Sequence, residues 1–388
     1  DLYLMHTELN QLSISELDNE KASQIIESCV HCGFCLATCP TYQLIGDELD
    51  SPRGRIYLIK SALENNHFST KSLKHLDRCL TCRSCETTCP SGVEYGQLLE
   101  IGREFMESKR TKLQTIYRFF VRKLLLTPML FKSVGYFFRH SDITTKLIKP
   151  QKVESTVLLL GGCVQPTLAP NINHSIKNIL AKLSVDVIES PQRECCGALD
   201  QHLAASKDAL NRVKRNIDLW STQLNSGVSV IISSASGCGV MVKDYPALFE
   251  KTDAYYDKAK FVSSKTQDIA EYLASKDLTG LCLSESKISY HEPCTLQHGQ
   301  KLGGLVESIL TQFGYEKKPI KDSHICCGSA GTYSIFEAEI SNQLKESKLK
   351  NLKASNPEMI VTSNIGCLMH LQKGSSIPVK HWVELLDG

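Results

Sequence analysis

Three observations predict an α+β multidomain fold, with an α-helical module first and a duplicated α/β region after it. Two copies of one cysteine motif occupy the first quarter of the chain. A longer cysteine pattern then runs twice through residues 153–388. Apolar runs of strand length alternate with helical patterns in that second region.

The first motif reads Cys29-x-x-Cys32-x-x-Cys35-x-x-x-Cys39-Pro40, and the second Cys79-x-x-Cys82-x-x-Cys85-x-x-x-Cys89-Pro90. This is the bacterial ferredoxin run for a pair of 4Fe–4S clusters, in which the fourth cysteine of each motif reaches the other cluster. The expected ligand sets are therefore Cys29, Cys32, Cys35 and Cys89 for cluster one, and Cys79, Cys82, Cys85 and Cys39 for cluster two. A zinc ribbon uses two pairs rather than two quartets ending in Cys-Pro. A disulfide framework belongs to short secreted chains, whereas this one has 388 residues and 17 cysteines. Between the motifs, Ser51-Pro52-Arg53-Gly54-Arg55 reads as a turn leading into an amphipathic helix through Ile56, Ile59 and Leu63. A second helix is expected around Leu73 to Arg78. A spacer this long and helical points to an α-helical ferredoxin domain over 1–108.

Residues 109–152 form a basic, amphipathic linker. From Thr111 to His140 the chain carries Lys112, Arg118, Arg122, Lys123, Lys132 and Arg139 without one acidic residue. Tyr117, Phe119, Phe120, Met129, Phe131, Phe137 and Phe138 are interleaved with them. Such a segment suits packing on a partner subunit or on its own domain, or peripheral contact with a membrane interface.

The third region is a duplication, 153–280 and 281–388. Half one has Cys163, Cys195-Cys196-Gly197 and Cys238; half two has Cys294, Cys326-Cys327-Gly328 and Cys367. Each half sets 31 residues between its first cysteine and its vicinal pair; the next interval is 41 residues in half one and 39 in half two. Strands are expected at Val157–Leu160, Val228–Ile232, Ile288–Tyr290 and Met359–Val361. Helices are expected at Ile176–Leu183, Leu203–Leu219, Val306–Phe313 and Ala338–Leu352. Cys163, Cys238, Cys294 and Cys367 each follow a predicted strand, the edge where α/β folds hold ligands. The eight repeat cysteines are candidates for a third iron–sulfur cluster or for a cysteine-lined docking site. Cys282 falls outside the pattern and reads as a core residue. His291, His298, His324 and His370 are secondary ligand candidates, and among them only His370 sits three residues after the last cysteine of its half.

Composition bounds the function. A net charge of +2 argues against a nucleic-acid partner. Many cysteines without disulfide spacing indicate a reducing compartment, so the cytoplasm is expected. The first residues hold no apolar signal-peptide core, and no apolar run approaches the roughly 20 residues of a membrane span.

The chain resembles the iron–sulfur subunit of glycolate oxidase. The likeness is carried by Cys29-Val-His-Cys-Gly-Phe-Cys, Gly46-Asp-Glu-Leu-Asp, Pro52-Arg-Gly-Arg-Ile-Tyr and Asp77-Arg-Cys-Leu-Thr-Cys-Arg. It continues through Ala235-Ser-Gly-Cys-Gly, Cys294-Thr-Leu-Gln-His, Cys326-Cys-Gly-Ser-Ala-Gly-Thr-Tyr and Asn364-Ile-Gly-Cys. Lactate-utilisation proteins, anaerobic glycerol-3-phosphate dehydrogenase subunits and the B subunit of heterodisulfide reductase share the layout. The resemblance implies a complex in which FAD-containing subunits oxidise glycolate to glyoxylate and this chain passes electrons to a quinone or another respiratory acceptor. Heterodisulfide reductase B subunits end each half in Cys-x-x-Cys, whereas Met241 and His370 stand at those positions here.

No G-x-G-x-x-G follows a strand, so no flavin or nicotinamide site is expected on this chain, and no catalytic residue is assigned. Arg78 and Arg83 accompany the second motif, against His31 in the first. Positive charge favours the reduced, more negative cluster, so the second cluster is expected to have the higher potential. Two rival readings are a disulfide reductase acting through the repeat cysteines and a zinc-stabilised interaction module.

Overall fold

The computed structural model describes residue 7, residues 16–140, 143, 145–190, 195–279, 281 and 285–387. Cys282 lies outside these.

The N-terminal unit is a bundle of the helices Glu16–Glu27, Pro52–Asn65, Thr70–Asp77 and Tyr95–Glu107. Each helix start has a local cause. Ser51 accepts a hydrogen bond from the Gly54 N–H with Pro52 in the first turn, and Ser69 accepts from Ser72. Ile26, Ile59, Leu76, Leu98, Leu99 and Met106 are fully enclosed and form its core. Both spacer helices expected from the sequence are present.

Residues 112–138 form the helices Lys112–Leu126 and Pro128–Gly135 and a short 3-10 turn, Tyr136–Phe138. Thr111 and Gln114 close a reciprocal capping box at the first of them.

The remainder is two parallel four-stranded sheets of identical topology. Strands β1 (Ser155–Leu159), β2 (Val185–Glu189), β3 (Ile231–Ser233) and β4 (Thr266–Asp268) lie in the order β2-β1-β3-β4. Strands β5 (Lys287–His291), β6 (Glu316–Lys317), β7 (Met359–Thr362) and β8 (Val379–His381) repeat it as β6-β5-β7-β8. The chain leaves β1 toward one side of its sheet and β3 toward the other, so the crevice between their C-terminal ends is a topological switch point, the usual ligand position of such folds. Cys163 follows β1 and Cys238 follows β3; Cys294 and Cys367 follow β5 and β7 in the same way. The strand expected at Val228–Ile232 pairs only from Ile231, with Val228 and Val230 buried ahead of β3.

The two halves share one core. Val157, Leu159 and Ile232 of the first sheet belong to the same buried cluster as Ile288, Tyr290, Ile360 and Val361 of the second. Polar bonds stitch the halves as well: the His381 ring to the Ser234 carbonyl at 3.1 Å, and Gln300 Nε2 donating to the Ser236 carbonyl at 3.1 Å.

Candidate metal centres

The two ferredoxin-type loops are built alike. In each, the residue before the second cysteine and the residue after it have left-handed backbone: His31 and Gly33 in the first, Thr81 and Arg83 in the second. Successive turns of this kind aim backbone N–H groups inward and make a concave anion-binding loop. Cys39 and Cys89 are both extended, as the proline after each requires. In the first motif Pro40 then opens the helix Pro40–Ile45.

The sulfurs cluster in two groups. Burial pushes the Cys82 thiol well up, and the neighbouring sulfurs of Cys294, Cys79 and Cys39 act on it too. Burial does the same to Cys85, with Cys82, Cys79 and Cys39 adding to it. On Cys29 burial acts first, against a backbone hydrogen bond from His31, and Cys89 and Cys32 reinforce the rise. Burial also pushes Cys35 up to about 11, with Cys29, Cys39 and Cys32 close by. Cys39 thus sits among the second-motif sulfurs as well as beside Cys35, and Cys89 sits with Cys29. All of these cysteines are free thiols, as a metal site needs.

What surrounds the sulfurs suits an anionic group. Arg55 is wholly buried; its guanidinium donates to Cys39 Sγ at 3.9 Å, to Thr41 Oγ1 at 3.0 Å and to Asp50 Oδ1 at 3.3 Å. The Tyr95 hydroxyl donates to Cys79 Sγ at 3.6 Å. Arg78 and Arg83, the cations expected to tune this motif, are both paired with acids. Arg78 donates to Asp50 Oδ2 at 2.7 Å, and Arg83 meets Asp244 on the first repeat half. The side chains reaching the sulfurs directly include Arg55 of the spacer helix, Tyr95 past the second motif and Thr41, whose hydroxyl lies 3.3 Å from Cys39 Sγ.

In the repeat region each half brings its four cysteines into one chain of contacts. In half one Cys163 meets Cys195, Cys195 meets Cys196, and Cys196 meets Cys238. Hydrogen bonds from Cys163 and Cys196, with Arg212 nearby, hold the Cys195 thiol well below its ordinary range against burial. In half two Cys294 lies 3.8 Å from Cys326, which meets Cys327, which meets Cys367. The glycine after each vicinal pair has a geometric reason. Gly197 and Gly328 have φ of 96° and 89°, and a Cβ on Gly328 would lie 2.6 Å from the Ser341 carbonyl oxygen. The Gly328 N–H donates to Cys326 Sγ at 3.5 Å, and Asn364 Nδ2 to Cys367 Sγ at 3.7 Å.

The histidines separate by partner. His370 bonds to Ser341 Oγ and to the Ser341 carbonyl, each at 3.3 Å, and burial pushes it down to about 4. His298 pairs with Thr87 Oγ1 at 2.8 Å. His291, at the end of β5, has a ring nitrogen in one tight group with the sulfurs of Cys327 and Cys367, all within 4.8 Å of one another. Burial holds it well below the ordinary histidine range, so the ring is neutral.

The second motif docks onto the second half. Leu80 and Cys82 share a buried cluster with Cys326, Tyr333 and Leu344, and Cys294 packs against it. The Tyr333 hydroxyl donates to the Arg78 carbonyl at 3.0 Å. A cavity of about 1180 Å³ lies along this junction and is lined by both repeat quartets, by Cys79 and Cys82, and by Leu124, Phe131 and Phe138 of the linker. Two linker cations turn inward. Arg122 bonds to Asp200 and Asp208 at 2.7 and 2.6 Å, and Arg118 lies beside Asp77 and Glu107 and over the Phe336 ring. The absence of acidic residues within 111–140 is offset by acids from both neighbouring regions. Leu113 and Phe137 stay 77 % and 85 % exposed. Among the described residues no helix is long and apolar enough to cross a membrane.

With the geometry in hand, the comparisons with known proteins agree in placement. The 4Fe-4S dicluster domain family matches residues 25–93, and the Cysteine-rich domain family matches 157–243 and 288–372. The glycolate oxidase iron-sulfur subunit of Escherichia coli is 43 % identical over 99 % of this chain and 98 % of its own length. A probable glycolate oxidase iron-sulfur subunit of Bacillus subtilis is 28 % identical over 93 % of this chain and 92 % of its own length. Lactate utilization protein A of Bacillus licheniformis is 25 % identical over 60 % of this chain and 98 % of its own length. The duplicated repeat and the α-helical ferredoxin unit expected from the sequence stand, and with them iron–sulfur binding and an electron-transfer role beside a partner subunit. The chain belongs to the glycolate oxidase iron–sulfur subunit family.

Proposed function

We propose that this chain is the electron-transfer subunit of an acceptor-dependent glycolate dehydrogenase, in which an FAD-containing partner oxidises glycolate to glyoxylate. Cys29, Cys32, Cys35 and Cys89 would hold one 4Fe–4S cluster, Cys79, Cys82, Cys85 and Cys39 a second, and the second repeat quartet a third iron–sulfur centre. Clusters bound there supply one-electron carriage between a two-electron donor and a respiratory acceptor. The observation that carries this reading is the proximity of Cys82 to Cys294 and Cys326, which places one cysteine group against the next.

The chain's own residues supply access and positioning. Cys32 is exposed, Phe34 two residues on is 62 % exposed, and Tyr57, on the spacer helix packed against that turn, is 57 % exposed, an apolar rim suited to a docked flavoprotein. Arg55 and Tyr95 hold charge and hydrogen bonds at the buried second motif. The cavity beside both quartets has apolar linker walls that suit a quinone ring. Since Arg118 and Arg122 are bound to internal acids, the exposed linker face fits a protein partner better than anionic lipid. Cysteine usage without disulfide spacing favours the cytoplasmic side as the site of action, with any membrane contact made through the complex.

The test is reconstitution. Anaerobic protein is mixed with its FAD-containing partner, and glycolate or lactate is added while the visible absorbance of this chain is followed. Bleaching with glycolate supports the proposal, and bleaching with lactate alone assigns the complex to lactate. A partner reduced by glycolate that leaves this chain oxidised would overturn it.

A further inference from the structure

The two repeat halves match in cysteine spacing and strand order, yet they differ directly behind the cysteines. Three residues before Cys163 stands Leu160; three before Cys294 stands His291. Both side chains are buried, at 8 % and 2 % exposure. Leu160 packs into the apolar cluster of half one with Cys195 and Cys196. His291 occupies the matching place, and neither of its ring nitrogens has a hydrogen-bond partner among the described residues. Burying an imidazole without a partner costs free energy, so such a group calls for a ligand.

The surroundings say which kind. A ring nitrogen of His291 and the sulfurs of Cys327 and Cys367 lie within 4.8 Å of one another. Cys294 and Cys326 continue the same group. Lys348, also buried, is anchored by its Nζ donating to the Asp322 and Ser323 carbonyls at 2.7 and 3.2 Å.

We propose that half two holds a metal centre of mixed ligation, in which His291 gives a nitrogen ligand beside the thiolates of its quartet, and that half one, with Leu160, has no such ligand. The inference rests on the reading that this quartet carries an iron–sulfur centre. Replacing a thiolate by a neutral imidazole removes one negative charge and raises the potential of such a centre. That makes half two the favourable destination beyond Cys82, and it separates the roles of two otherwise equivalent halves. His370, the histidine standing where related chains carry a last cysteine, is engaged by Ser341 and plays no part.

The experiment uses full-length, anaerobically purified protein labelled with ¹⁵N-histidine, studied by pulsed EPR after reduction, with metal analysis alongside. Four proteins are compared: wild type, His291→Leu, His291→Cys and Cys327→Ser. The ferredoxin-type signals report that each variant has folded. The expected result is a strongly coupled nitrogen on one iron signal of the wild type, lost in His291→Leu together with metal. In His291→Cys the metal is kept, the nitrogen coupling is lost and the midpoint potential is lower. If Cys327→Ser removes the centre while His291→Leu leaves its spectrum and metal intact, the histidine ligand is wrong and the centre stands. If neither variant changes metal content or spectrum, the reading of half two as a metal site falls, and the inference with it.

Discussion

The two ferredoxin-type motifs share their cysteine spacing and their loop geometry, but the fold treats them differently. In the first, Cys32 is exposed and Cys35 and Cys89 are half-buried. Around the second, Cys79, Cys82, Cys85 and Cys39 are all buried. The cover comes from elsewhere: Arg55 from the spacer helix, Tyr95 from the helix after the motif, and Tyr333 from the second repeat half. Loop sequence sets how four sulfurs are presented, and distant packing sets which pair of surroundings they meet. One site is left facing outward and the other is sealed against the next cysteine group.

The largest effect expected from this contrast is on stability. Arg55→Met removes a fully buried guanidinium from Asp50, which keeps Arg78 at 2.7 Å, and should cost about 1.5–3 kcal/mol. Arg53→Met, near the first motif, breaks an exposed pair with Glu48 and should cost roughly 0–1 kcal/mol. Anaerobic urea unfolding measures both, and equal losses would erase the distinction. Chelation should follow the same order. An iron chelator added anaerobically should remove the EPR signal of the first motif several-fold faster than that of the second, and a single common rate would contradict unequal burial.

A smaller effect sharpens the tuning argument. Tyr95→Phe deletes one O–H···S hydrogen bond to Cys79. The loss of about 1 kcal/mol corresponds to roughly 40 mV at one electron, lowering the second-motif potential in a redox titration while the first is unmoved. The smallest effect is expected at Arg83. Arg83→Gly installs the residue that the first motif carries at the same left-handed position and relieves about 1–2 kcal/mol of backbone strain. It also deletes the partly exposed pair with Asp244, worth roughly 0–1 kcal/mol, so net stability should change little.

Much of this was legible from spacing alone. The two motifs, the equal 31-residue intervals and the strands preceding Cys163, Cys238, Cys294 and Cys367 all reappear in the structure. Strands β2, β4, β6 and β8 carried little signal. β2 is interrupted by acids as Val-Asp-Val-Ile-Glu, β4 is Thr-Gln-Asp, and β6 has two residues, so no continuous apolar run marks them. Charge was misleading where partners are remote. Arg122 finds Asp200 and Asp208, 78 and 86 residues away, and Arg83 finds Asp244 at 161. Position in a motif favoured His370, but helix geometry turns it to Ser341 while the end of β5 brings His291 to the sulfurs. A buried histidine replacing the repeat's leucine was the available signal, readable only once the halves are aligned residue by residue.

The claim that one ferredoxin-type site faces solvent and the other faces inward can be measured directly. Relaxation of the two reduced EPR signals by a soluble paramagnetic chelate reports their distance from solvent, with the signal shifted by Tyr95→Phe identified as the second motif. The first-motif signal should be strongly relaxed and the second nearly untouched. Equal relaxation of both, or stronger relaxation of the second, would contradict the account.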